Sequence, residues 1–364
     1  MQRIIVHIGD KKTGTTAIQQ ALASRAWDCK TVSLDYVVPP EAPYHHALAY
    51  AMATGDAKAV SLHMSDLVKR INASRADVVV ISSELFRDVD PRYFRAQFET
   101  HLPGHMSRLQ LLGYMRPHIS RFESNYAQIV KLGFFTGTPE GHYNKTLDHP
   151  AYRHAELFLR WREVFGDRLT VRPMLRSELQ DGDVVRDFFR HALDGAEFTL
   201  APLPNVNASP SVQDIALLRR FHFDLSAVHK ACDTPALKTA RMRVGERLGD
   251  ILTGFSVARE PQPLRIDRSL AQKIAETYKE DARRADAAFF DKPLMQDALV
   301  AGVASAPETM PSIWAKDHFT PEVIGTVRIL AQLTGEMLLR DPEGWNDYFL
   351  SVLNRVLRGE TDLI

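Results

Sequence analysis

The chain opens on a β-branched run, Ile4-Ile5-Val6-His7-Ile8, closed by Gly9. Such a run suits a strand buried on both faces of a parallel sheet. From Thr16 the spacing changes: Ala17, Ile18, Ala21 and Leu22 fall at i, i+3 and i+4, the stripe of a helix laid against a sheet. Strand, glycine loop and helix therefore follow in that order. Comparable apolar runs recur at Val78-Val79-Val80-Ile81, at Leu109–Met115 and at Leu169-Thr170-Val171. Helical spacing separates them at 57–73 (Ala59, Val60, Leu62, Leu67, Val68), 119–131, 151–165 and 184–193, where Val184, Val185, Phe188 and Phe189 share a face. This alternation predicts an α/β fold with three layers and a central parallel sheet.

Beyond about residue 205 no strand is predicted, and the pattern becomes helical at 211–229, 237–253, 269–290, 320–340 and 343–358. Pro204, Pro210, Pro261, Pro263, Pro307 and Pro311 punctuate it. In the last helix Trp345, Tyr348, Phe349, Val352, Leu353, Val356 and Leu357 form one stripe. The opposite face, with Asn346, Asp347 and Asn354, is not basic, so core or dimer packing is expected rather than a membrane surface. The expected organisation is an α/β domain over 1–230, its helical continuation over 231–300 and a helical extension over 301–364, through whose helices a homodimer is conceivable.

Lys plus Arg equal Asp plus Glu at 45 each in 364 residues, so no global field draws the protein to nucleic acid. Any anion must be held locally. Cys29 and Cys232 offer neither a disulfide framework nor metal-ligand spacing, and a reducing compartment is expected. No stretch of about 18 apolar residues occurs, and the first apolar run is too short for a signal-peptide core. A cytoplasmic protein without a transmembrane segment is the expectation. The motifs H-E-x-x-H, C-x-x-C and G-x-S-x-G are missing, which removes support for zinc peptidase, redox and hydrolase chemistry. Asp88 and Asp90 lack calcium-loop spacing and read as loop residues.

Gly9-Asp10-Lys11-Lys12-Thr13-Gly14-Thr15-Thr16 lies between the first strand and the first helix, where backbone N–H groups and a helix N-terminus converge on an anion. The triphosphate loop G-x-x-x-x-G-K-[ST] needs lysine after its second glycine. Here that position is Thr15, and the lysine stands as Lys12, two residues before Gly14. An ordinary ATPase or kinase is disfavoured, although a glycine turn with solvated lysines would have the same composition. Farther on, the run Leu109–Met115 ends in Arg116-Pro117-His118, and Ser124 follows eight residues after Arg116 on a helical segment. A guanidinium fork and a hydroxyl suit a phosphate monoester.

The string K-T-G-T-T after an apolar strand resembles the 5′-phosphosulfate loop of the sulfotransferase family, and the spacing from Arg116 to Ser124 resembles that family's 3′-phosphate site. The segment Arg121 to Lys131, with Ser124, Tyr126, Gln128 and Lys131, looks like bacterial carbohydrate-type members. So do Trp161-x3-Phe165-Gly166-Asp167 and Asn207-Ala208-Ser209. The likeness covers roughly 1–230 and, loosely, 270–295; beyond about 300 it stops. It implies a P-loop fold and 3′-phosphoadenosine 5′-phosphosulfate (PAPS) as sulfuryl donor, with no metal required. Lys12 would meet the bridging oxygen, Thr13, Gly14, Thr15 and Thr16 the 5′ end, and Arg116 with Ser124 the 3′-phosphate. A cation at the bridging oxygen is physically apt, because negative charge grows there as the S–O bond breaks.

An acceptor hydroxyl must lose its proton as it attacks, so a base is needed. Glu84 is the first candidate: it follows a buried run and Ser82-Ser83, at a strand's carboxyl end, where open α/β sheets assemble their sites. The family offers a histidine or, in heparan-type members, a glutamate at about this point in chain order. Glu84 could equally cap the segment from Leu85 or pair with Arg87. His45 and His46 come second, and His7 reads as a core histidine. The resemblance leans towards a saccharide or glycolipid acceptor, with a small alcohol, a phenol or an amine left open. A P-loop small-molecule kinase and a non-catalytic nucleotide-binding scaffold are the alternatives.

Overall fold

The alternation of side chains along the first strand decides the architecture. In β1 (Arg3–His7), Ile4 and Val6 point to one face and Ile5 to the other, and all three are buried. A strand covered on both faces needs helices on both sides. The computed structural model describes residues 2–10, 12–39, 42–147, 149–202, 209–230, 232–255 and 260–357.

After β1 come α1 (Thr15–Ala23), β2 (Trp27–Asp28), β3 (Leu34–Tyr36), α2 (His46–Thr54), α3 (Ala57–Ala73) and β4 (Val78–Ser82). Next are α4 (Pro91–His101), β5 (Leu109–Met115), α5 (His118–Lys131), α6 (Pro139–Thr146), α7 (His154–Phe165), β6 (Leu169–Pro173), α8 (Val184–Ala192) and β7 (Thr199–Leu200). The rest is helical: α9 (Val212–Val228), α10 (Pro235–Phe255), α11 (Arg268–Phe289), α12 (Leu294–Ala304), α13 (Pro321–Arg340) and α14 (Pro342–Leu357).

Five strands form one parallel sheet in the order β3-β4-β1-β5-β6. His7 pairs with Ser82 of β4 and with Leu112 of β5, so the three central strands run nearly level to their carboxyl ends. Ile4, Val6, Val79, Ile81 and Leu111 pack on the side of α2, α3, α4 and α7. Ile5, Val78, Val80, Leu112 and Tyr114 pack on the side of α1 and α8. Gly113 lets α7 come close, because a Cβ there would meet Phe158 at 2.6 Å. Two helical layers thus enclose the sheet, as the apolar runs predict. Each fully buried isoleucine of these layers contributes about 1.5–3 kcal/mol, so Ile4→Ala would cost about 2–5 kcal/mol once its cavity is counted.

The helical remainder also follows the sequence, and among the described residues after 209 the only β pairing is an isolated bridge, Ser211 to Pro263. Phe221, Leu225, Leu237, Val244, Ala331 and Leu338 build a separate apolar cluster between α9, α10 and α13, on which Trp345 and Phe349 of α14 rest. Part of the last helix's stripe is therefore spent within the chain. Some elements escaped periodicity: β3, α2, α4, α6 and α12. Asp90, read as a loop residue, accepts hydrogen bonds from the N–H groups of Arg92 and Tyr93 and caps α4, with Pro91 in the first turn. That cap-and-proline signal was present in the sequence.

Candidate active site at the strand ends

Three adjacent strands deliver one candidate residue each. Lys12 follows β1, Glu84 follows β4 and Arg116 follows β5. The chain turns from β4 on one side of β1 to β5 on the other, so these residues gather where the strand order reverses, the usual place for a ligand in an open α/β sheet. Lys12 (φ 67°) and Gly14 (φ 78°) both adopt left-handed backbone, which folds the loop tightly back on α1. Gly14 cannot carry a side chain without strain, and a Cβ would also meet Val184 at 2.6 Å. Thr13 donates its hydroxyl to the Asp10 carbonyl at 2.6 Å. Helix α1 starts with no side-chain cap, which leaves the N–H groups of its first turn without a side-chain acceptor there. Thr15 Oγ1 is buried with no hydrogen-bond partner among the described residues.

Arg116 Nη1 donates to the Lys12 carbonyl at 2.8 Å, and its Nε to Ser120 Oγ at 3.3 Å. Lys12 Nζ donates to Gln128 Oε1 at 3.1 Å. Ser120, Ser124 and Gln128 are spaced by four on α5 and so share a face. Since Ser120 and Gln128 both reach the loop or its arginine, Ser124 between them lies on the face turned to the cleft. Burial lowers the Lys12 ammonium to about 8, with Lys131 and Arg116 pushing the same way and Glu84 and Asp250 opposing. Burial likewise lowers Arg116, against the pull of Glu123, whose own carboxyl is raised by burial.

On the other side of the loop, Ser83 caps the turn that begins at Glu84 by accepting from Leu85 N–H at 3.2 Å. His46 Nδ1 lies 2.8 Å from Ser83 Oγ, and its ring stacks on Tyr44 at 4.1 Å between centroids. Burial holds His46 down at about 4, with His45 and Arg243 adding to the effect. The imidazole is therefore neutral near pH 7. His45 is a different case: its ring nitrogens face the carbonyls of Val37 at 3.1 Å and Ser82 at 3.3 Å, which makes it part of the core. His7 is buried against Ser82 Oγ at 2.9 Å, a core histidine as its strand position predicts.

Helices α10 and α14 cover this region. Gly245 and Gly249 bring α10 down on the end of α5: a Cβ at Gly245 would collide with the Lys131 carbonyl, and one at Gly249 with the Lys131 side chain. Lys131 forms an ion pair with Asp250 of α10. Tyr44 Oη donates to Asn354 Oδ1 of α14 at 3.3 Å. A narrow crevice between the two helices has Arg243, Glu246 and Asp250 on one wall and Phe349, Val352 and Val356 on the other.

The chain matches no protein-family model and no curated protein. Among solved structures it is similar to a sulfotransferase from Alicyclobacillus acidocaldarius, with 12% identity and a TM-score of 0.42, over 81% of this chain and 99% of that one.

Of the residues singled out from the sequence, Arg116 donates to the Lys12 carbonyl, the charge of Glu84 reaches the Lys12 ammonium, and His46 meets Ser83 next to Glu84. Ser124 shares the α5 face of Ser120 and Gln128, while Thr13, Gly14, Thr15 and Thr16 form the loop and the start of α1. Asn207 and Ala208 lie outside the described residues, as does Lys11 of the loop. Arg87, weighed as a partner of Glu84, pairs with buried Asp10 and lies 3.5 Å from Asp88. Sequence reasoning missed Asp10, Asp250 and Arg243 altogether. No periodicity marks a buried carboxylate in a loop, and α10 reaches the cleft only through the tertiary packing of Gly245 and Gly249. Among the described residues, no three His, Cys, Asp or Glu side chains stand together as metal ligands, and no helix is long and apolar enough to cross a membrane.

Proposed function

We propose that the chain is a sulfotransferase that takes the sulfuryl group of PAPS to an acceptor hydroxyl. One observation carries this: the Arg116 guanidinium rests on the backbone of the loop that holds Lys12, so two cationic groups suited to opposite ends of a bisphosphorylated nucleotide share one cleft. The fit is supported by the uncapped start of α1, the unpartnered Thr15 hydroxyl and the conformation Gly14 alone permits. Arg116 and Ser124 would take a 3′-phosphate, and Thr13, Gly14, Thr15 and Thr16 the 5′ end. Lys12 would face the bridging oxygen, whose bond to sulfur breaks as the acceptor oxygen forms its own. The acceptor proton would pass to Glu84, whose charge reaches the Lys12 ammonium. His46, neutral and tied to Ser83, would line the acceptor side.

A saccharide or glycolipid headgroup is the proposed acceptor. The likeness of the segment Arg121 to Lys131 to carbohydrate-type sulfotransferases supports it; the crevice between α10 and α14 is too narrow to take a sugar ring. Location in the cytoplasm fits Cys29 and Cys232 as free thiols. A homodimer would use α13, where Ile329, Leu330 and Leu333 are 69%, 51% and 54% exposed. Light scattering of Leu330→Lys/Leu333→Lys against the parent tests it; a parent that is already monomeric sinks it.

The deciding experiment is calorimetric binding of 3′,5′-adenosine bisphosphate against ATP, followed by transfer from labelled PAPS to saccharide and lipid extracts. Preference for the bisphosphate and a labelled product are expected. ATP binding as tightly would favour a kinase instead, and bisphosphate binding with no product from any acceptor would favour a nucleotide-binding scaffold.

A further inference from the structure

We infer that Asp10 is a positioning residue, the centre of a buried ion hub that sets the loop in register with both halves of the cleft. It deepens the reading of this cleft as a reaction centre and rests on it. The Asp10 carboxylate is fully buried. It meets the guanidinium groups of Arg87 and Arg121 in ion pairs, and its Oδ2 lies 3.2 Å from Nδ1 of His154. All three partners are themselves buried. Burial and the neighbouring His118 and Arg87 keep His154 well below the usual histidine range, so its neutral ring can donate to the carboxylate.

Each partner comes from a different element, and two of those elements carry residues of the cleft. Arg87 lies in the short turn Glu84–Asp88, three residues after Glu84. Arg121 lies on α5, with Ser124 and Gln128 three and seven residues further along the same face. His154 opens α7, where its N–H donates to Asp281 Oδ2 of α11 at 2.8 Å. The same Asp281 oxygen lies 3.0 Å from His118 Nε2, at the start of α5. Asp10 itself stands two residues before Lys12, and its carbonyl takes the Thr13 hydroxyl. One carboxylate thus fixes the distance from Lys12 to the segment bearing Glu84 and to the helix face bearing Ser124.

Fold stability alone gives no reason to keep such a cluster, because well-packed apolar side chains of similar volume often serve as well as a buried ion group. Apolar groups lack direction, which charged hydrogen-bonding partners impose.

The test compares the whole chain with Asp10→Asn and with the apolar replacement Asp10→Leu/Arg87→Met/Arg121→Met. Hydrogen exchange of the amides at 12–18 is read against those of β5, and kcat and KM are measured for sulfuryl transfer. In a folded variant, with β5 protection unchanged, loop protection should fall about tenfold or more and kcat about a hundredfold, as for misplaced reacting groups. Wild-type loop protection and kcat in a folded variant would overturn the assignment. Failure of both variants to fold would also overturn it, by making Asp10 a residue of the fold alone. The exchange measurement needs no nucleotide, so it stands apart from the PAPS proposal, which fails separately if the parent chain does not bind the bisphosphate.

Discussion

Arg116 Nη1 and the carbonyl of Lys12 are 2.8 Å apart, although 104 residues of chain separate them. Through that bond the end of β5 supports the loop after β1. On the proposed reading, the cation for one end of the nucleotide would also shape the backbone that receives the other.

Lys12 should make ligand binding depend on pH. Its folded value of about 8 lies below the ordinary 10.5. Between the two the unfolded chain holds the proton and the folded chain does not, so stability rises with pH across that window; below about 8 both hold it and the slope vanishes. Binding of an anion has the opposite sign, because it needs the charged form. The Kd for 3′,5′-adenosine bisphosphate should rise up to about tenfold per pH unit above about 8, and Lys12→Met should flatten the profile. A pH-independent Kd in the parent would count against contact between Lys12 and the ligand.

If Ser124 takes the 3′-phosphate as proposed, Ser124→Ala should weaken 3′,5′-adenosine bisphosphate by about tenfold while leaving adenosine 5′-monophosphate unaffected. Calorimetry with both nucleotides separates loss of the proposed contact between Ser124 and the 3′-phosphate from a general loss. Equal weakening of the two would show that Ser124 supports the fold and not the phosphate.

Glu84→Gln should lower kcat for transfer by about 10²–10⁴-fold with nucleotide affinity nearly kept, as for loss of a general base. His46→Gln should retain much more activity, because its ring is tied to Ser83 and sits at about 4. If His46→Gln proves the more damaging of the two, the base is His46.

Gly14→Ala should lower stability by about 1–3 kcal/mol, through left-handed backbone and the collision with Val184. Adding Val184→Ala should recover the steric part alone, which thermal unfolding of the single and double variants would resolve. No change in Tm for Gly14→Ala would contradict the loop conformation.

The apolar runs at Ile4-Ile5-Val6 and Val78-Val79-Val80-Ile81 made the parallel sheet legible, because a strand buried on both faces leaves few other solutions. The C-terminal helices other than α12 were equally plain from their 3.6-residue spacing. Short β3 and the capped α4 were not, since three residues carry no period and the Asp90-Pro91 cap resembles a loop. In the cleft, the sequence by itself determined a lysine-bearing glycine loop after the first strand and the spacing of Arg116 from Ser124, features local to the chain. Only the tertiary structure decided that Asp10 would meet Arg87, Arg121 and His154, and that α10 would lie over Lys131 on two glycines. Local spacing reports what neighbours in sequence can do together. Buried charges and close helix contacts are satisfied by partners dozens to more than a hundred residues away, and those are fixed only when the layers pack.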